Sequence, residues 1–145
     1  MIQRSPEIEQ ETREAFDLMH KGDLAGVIER MSAGPGLVMI GSDPDEWYEG
    51  REEIESVMGS MGDAEPSAMP SAALDSVEAY SDGDVGWATV RGTWKIGSSA
   101  VQFRMTAVLH REDGQWKNVH THASIGVPNS EMMNPMLQGA GSATA

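Results

Sequence analysis

The chain has no cysteine in its 145 residues. That excludes disulfides, thiolate metal sites and thiol nucleophiles. Basic residues are few: ten Lys and Arg stand against 23 Asp and Glu, a net charge of −13. Repulsion from phosphate argues against nucleic acid and anionic membrane surfaces as partners. No apolar run approaches the ~20 residues of a membrane span. The N-terminus, MIQRSPEIEQE, has no apolar core of a signal peptide, so a cytoplasmic home is expected. Phosphate loops and dinucleotide fingerprints are missing too. Gly83, Gly86, Gly92 and Gly97 fall at turns and strand bends, where glycine relieves curvature, and no cofactor is expected.

What is present reads as one domain. Ser5-Pro6-Glu7 combines an N-cap, a first-turn proline and a first-turn acid. Ile8, Ala15, Phe16 and Met19 then share one helical face, and Gly22 can end the helix in the left-handed conformation. Asp23 caps a second helix whose apolar face is Leu24, Val27, Ile28 and Met31. A short buried strand is expected over Leu37–Ile40, a loop over Gly41–Gly50 and a third helix over Glu52–Met61. Gly62–Pro70 reads as a linker or lid.

Beyond it the period changes to two. Strands are expected over Ala72–Tyr80, Val85–Ile96, Ala100–Arg111 and Gln115–Ile125, an antiparallel meander. Asp113-Gly114 between the last two is a strong hairpin signal, because both turn residues must tolerate positive φ. Helices segregated before a curved antiparallel sheet give an α+β fold. The domain is expected over residues 1–128, followed by a flexible C-terminal tail over 129–145 that is loosely held or lies on a partner subunit. The strands carry apolar residues on both faces, which points to a homodimer through the outer sheet face.

Three stretches carry a family resemblance: Tyr48-Glu49-Gly50 before the third helix, Val90-Arg91-Gly92-Thr93-Trp94 in the long middle strand, and the hairpin HREDGQWKNVHTHAS from His110 to Ser124. Together with the element order, they resemble the NTF2-like superfamily in its SnoaL-like branch. The final hairpin is similar to the association domain of calcium/calmodulin-dependent protein kinase II. The resemblance implies a cone, a cystatin-like α+β barrel in which a curved sheet wraps the N-terminal helices around a deep, mostly apolar pocket. Members of the superfamily include isomerases, cyclases, dehydratases and assembly modules, so the fold does not fix the chemistry.

By that likeness the pocket is lined by Trp47, Tyr48, Ile54, Met58, Trp87, Arg91, Thr93, Phe103, Met105, Ala107, Thr121 and Ala123. In the kinase association domain several arginines hold an anion there. Only Arg91 matches one of them; Ala107 and Ala123 stand at two others, and Ile54 at a histidine. A small apolar or monocarboxylate ligand is therefore expected rather than a dianion. Trp94, Trp116, His120 and His122 are read as structural or interfacial. His120 and His122 point the same way, yet no third ligand stands at a recognised spacing, so no metal is expected.

No catalytic residue can be assigned. Asp43, Asp45, Glu46 and Glu49 lie in a polar loop, and none of the expected inward positions is acidic. Ketosteroid isomerase is a known example of this fold that uses an aspartate base with oxyanion donors. Three readings stay open: a small-molecule-binding homodimer, an isomerase, dehydratase or cyclase on a polyketide- or steroid-like substrate, and an oligomeric assembly module.

Overall fold

The computed structural model describes residues 1–65 and 70–142, with only the backbone of 135–138 and 140–142. Helix α1 (Pro6–His20) begins where the Ser5 hydroxyl accepts the Ile8 N–H at 3.3 Å, a cap worth about 1 kcal/mol. Glu7 and Glu9 sit at its positive end. Gly22 follows the helix with a φ of +75°, and Asp23 caps α2 (Leu24–Glu29) by accepting the Gly26 N–H at 2.9 Å. At the other end of α2, Arg51 donates to the Ile28 and Met31 carbonyls, each at 3.2 Å, so a cation meets the helix's negative pole. Arg51 itself opens α3 (Arg51–Gly62).

Before α1 lies β1 (Gln3–Arg4). Between α2 and α3 lie β2 (Val38–Ile40) and β3 (Trp47–Glu49), and after α3 come β4 (Ser71–Asp82), β5 (Val85–Ile96), β6 (Ser99–Glu112) and β7 (Gln115–Ser124). Together they form one sheet in the order β1-β4-β5-β6-β7-β2-β3. It is unclosed, with β2 parallel to β7 and the other neighbours antiparallel. The β6–β7 hairpin turns at Asp113 (φ +50°) and Gly114 (φ +78°), as the Asp-Gly pair required.

Bulges interrupt β4 between Leu74 and Ser76, and the β6–β7 ladder where Leu109 pairs with Asn118 but Val108 with His120. Each bulge leaves one residue unpaired and bends the sheet. The extra residue on β7 is Val119, and it changes which alternating set faces inward.

The helices cover the concave face. Ile8 is fully buried against Ala79, Ala88, Ala107, Leu109 and Trp116. Small residues prevail there because α1 comes close: a Cβ at Gly86 would collide with Ile8 Cδ1 and stand 2.8 Å from the Tyr80 carbonyl. Val27, Leu37, Ile54 and Met58 form a second cluster beneath α2 and α3, and Val77, Val90 and Phe103 a third.

The structure adds to the sequence expectations or changes them at four places. Gly41–Gly50 is not all loop, since Trp47–Glu49 pairs with β2. An N-terminal strand, β1, pairs with β4. Within the expected tail, helix α4 forms over Asn129–Ser142. Gly62 belongs to α3, while 66–69 of the expected lid lie outside the described residues. No helix among the described residues is long and apolar enough to cross a membrane.

Candidate functional site

Glu11, Thr12, Ala15 and Phe16 extend from α1 toward Met105, Ala107, Leu109 and Asn118 on the sheet. Between them lies a cavity of about 40 Å³, also reached by Arg30. It has room for a few waters, far below the roughly 300–1,000 Å³ of a usual ligand pocket. Arg30 is held there by backbone bonds. Its carbonyl accepts the Asn118 N–H at 2.8 Å, and the Asn118 carbonyl accepts the Ser32 N–H at 2.8 Å. The end of α2 is thus stitched to β7 beside the bulge.

The guanidinium turns back to α1, where it pairs with Glu11 and, at 2.9 Å, with Glu14. The hydrogen bond with Glu11 is the main cause that raises the Arg30 pKa, with burial acting against it. The Glu14 carboxyl is lowered, first by the Gln10 amide and then by Arg30. Thr121 Oγ1 lies 3.4 Å from Asn118 Oδ1 and adds a hydroxyl to this polar set.

A second, open groove of about 550 Å³ runs between α1 and the adjoining ends of β4 and β5. Phe16, Ala72 and Leu74 line it along with Arg13, His20 and Lys95. Phe16 borders both spaces. Its ring lies 5.9 Å from that of Phe103, which stacks on Trp94 at 4.3 Å. This aromatic group packs α1 against β5 and β6.

Of the residues expected in a pocket, Phe103 and Ala107 are buried inner-face residues of β6, and Met105 packs against them. Thr121 and Ala123 pair with Ala107 and Met105 and share that face. Ile54 and Met58 are buried under the helices, with Tyr48 packed on them. Only Met105 and Ala107 border the small cavity.

Trp47, Trp87, Arg91 and Thr93 are not brought to it. On β5 the inner set is Gly86, Ala88, Val90 and Gly92, all buried, so Trp87, Arg91 and Thr93 take the opposite face, and Arg91 is exposed. The physical reason is the close approach of α1: the set with glycine and alanine is the one that fits beneath a helix. Trp47 pairs with Ile40, is 58% exposed, and donates its indole N–H to Glu49.

Trp94 and Trp116, expected as structural or interfacial, both lie on the inner face, Trp116 through the shift that the bulge introduces. His120 and His122 lie on the outer face, and no group of three metal-ligating side chains occurs among the described residues. Asp43 and Glu46 are occupied in their own turn, where Glu46 Oε1 accepts the Asp43 N–H at 2.9 Å.

Sequence reasoning missed Glu11, Thr12, Arg30 and Asn118. A signal for the first two was present: positions 11 and 12 fall on the same α1 face as Ile8, Ala15, Phe16 and Met19. Polar residues within an apolar helical face are informative because burial there requires partners.

The profile of the SnoaL-like domain matches residues 8–128. The chain belongs to the SnoaL-like domain family. Its match ends just short of α4. Among curated proteins no match is found. Several solved structures share the fold. An NTF2-like protein of unknown function from Pseudomonas putida KT2440 is 19% identical, with a TM-score of 0.69 over 87% of this chain and 92% of that one. A candidate calcium/calmodulin-dependent protein kinase II association domain from Xanthomonas campestris is 20% identical, with a TM-score of 0.62 over 79% and 82%. A candidate ketosteroid isomerase from Parabacteroides distasonis is 18% identical, with a TM-score of 0.67 over 84% and 87%. For this SnoaL-like domain, likeness at these identities shows the fold alone.

Proposed function

We propose that this SnoaL-like domain binds a small, largely apolar molecule inside its cone, as a homodimer joined through the outer sheet face. The observation that carries the ligand reading is the Glu11–Arg30–Asn118 set, which opens on a wall of Phe16, Met105 and Leu109. A few fixed polar groups in an apolar surround orient small ligands. Arg30 is already matched by two carboxylates. A monocarboxylate must compete with both, so a neutral molecule that hydrogen-bonds to this set is favoured. Phe16 lines both the cavity and the groove, so moving its ring aside would join the two spaces.

The test is a thermal-shift and NMR titration panel of neutral polycyclic ketones and alcohols beside monocarboxylates. It would be run on the wild type, Phe16→Ala and Arg91→Ala. Neutral compounds should stabilise the wild type, bind Phe16→Ala more tightly, and bind Arg91→Ala unchanged. If no compound stabilises either the wild type or Phe16→Ala, small-molecule binding is refuted. Light scattering tests the homodimer: a monomer refutes it, and a ring of dimers supports the assembly-module reading.

A second reading rests on Glu11, a carboxylate that lines the cavity. An isomerase-type reaction on a steroid- or polyketide-like ketone needs such a base beside the substrate. If Glu11 is that base, Glu11→Gln should lower turnover by about 100-fold or more with KM little changed. No turnover by the wild type across the neutral ketones it binds would leave a binding domain.

A further inference from the structure

Arg91 and Arg104 stand directly opposite each other across β5 and β6, both exposed on the outer face. Like charges in that relation repel. No carboxylate pairs with either among the described residues, and the only polar contact of Arg104 found there is Nε donating to Ser124 Oγ at 3.3 Å. The chain holds 23 acids for ten bases. Arg4, Lys21, Arg30, Arg51 and Arg111 each meet an acidic side chain. Arg13, Lys95 and Lys117 also lack one among the described residues, but of these five bases only Arg91 and Arg104 face each other across a strand pair. Farther along the same face, beyond the Thr89–Thr106 pair, runs a cross-strand row of Tyr80, Trp87, Val108, His120 and Val38, each half-buried.

The same chain carries a surface of the opposite kind. Beyond His122 the one charged residue in the sequence is Glu131. It lies in the first turn of α4 beside Met132 and Met133, which are 51% and 47% exposed. Every residue from Ile125 to Asn134 is exposed. A 14-residue helix that contains Pro135, Gly139 and Gly141 is poorly stable alone in water and gains from a surface to rest on. Arg91 and Arg104 remain exposed with α4 in place.

We propose that α4 of one copy lies on the outer sheet face of a second copy, with Met132 toward the Trp87–Val108 row and Glu131 between Arg91 and Arg104. The exchange is reciprocal, as a two-fold dimer requires. It rests on the homodimer reading above and adds the element that completes it.

The experiment measures dimer dissociation by analytical ultracentrifugation. The samples are the full chain, a chain ended after Pro128, Glu131→Arg, the double variant Arg91→Glu/Arg104→Glu, and the triple charge swap. These side chains are exposed, and far-UV circular dichroism confirms that each variant is folded. The full chain should dimerise. Truncation and each charge reversal should weaken the dimer at least tenfold, and the triple swap should restore it to within a few-fold. A truncated chain that dimerises as tightly as the full chain overturns the helix exchange and leaves the homodimer standing. Failure of the swap to restore overturns the Glu131 pairing. A full chain that stays monomeric overturns both.

Discussion

Replacing Trp116 tests the arrangement of the last strand. Its side chain is 6% exposed and packs in the cluster around Ile8, Ala88 and Leu109. The indole N–H donates to Glu7 Oε2 at 3.0 Å, Arg111 donates to the same oxygen at 3.0 Å, and the Arg111 guanidinium lies 4.5 Å above the indole ring. Trp116 therefore joins the start of α1 to the final hairpin. Trp116→Ala removes a buried aromatic and leaves a cavity, a loss of about 3–5 kcal/mol. Trp116→Phe keeps most of the packing but loses the N–H, and should cost about 1–2 kcal/mol. For a chain of this length each kcal/mol moves the midpoint by roughly 2–4 °C, so the alanine variant should melt about 10 °C lower. Urea unfolding followed by circular dichroism measures both. Had β7 kept strict alternation from Thr121 back to Trp116, with no extra residue at Val119, the indole would lie on the outer face and its loss would cost about 0.5 kcal/mol or less. A Trp116→Ala loss below about 1 kcal/mol would refute the inward placement.

The remaining predictions follow from the same contacts. Gly92→Ala would put a methyl 2.6 Å from the Phe103 ring and 2.7 Å from the Ala73 carbonyl, so overpacking should cost about 1–3 kcal/mol, read by urea titration. Arg91→Ala should leave monomer stability within about 0.5 kcal/mol, because the side chain is exposed and makes no ion pair among the described residues. Acid should destabilise the fold through Glu7, Glu14 and Glu112, each held below the ordinary carboxylate value of 4.5, first by hydrogen bonds from Trp116, Gln10 and Ser32 respectively. Depressed carboxylates stabilise above their unfolded value and lose that contribution as pH falls through the folded one. The melting temperature should therefore decline below about pH 4.5, and a rise there would mean that relief of the −13 net charge prevails.

Local chemistry was legible wherever a single residue type forces a backbone state. Ser5, Asp23 and the Asp113-Gly114 pair act where the sequence expected, because a cap or a left-handed turn depends on a few neighbouring atoms. Inward and outward faces were harder to read. Both alternating sets of β5 contain apolar residues, and large aromatics suggest the core more readily than small ones. Yet a sheet crossed by a helix buries what lets the helix approach, and Gly86 and Ala88 do so beneath Ile8 while Trp87 cannot. On β7 the ambiguity had another source. One extra residue at Val119 puts Trp116 and Thr121 on the same face despite their odd separation, and nothing in the local sequence marks such a bulge. The same shift brings Asn118 beside Arg30, so the polar set of the candidate site exists because the ladder slips by one residue there. The helical side of that site needed no bulge to be seen. Glu11 and Thr12 break an apolar α1 face, and such a break should be weighed as a site before any strand arginine is assigned inward.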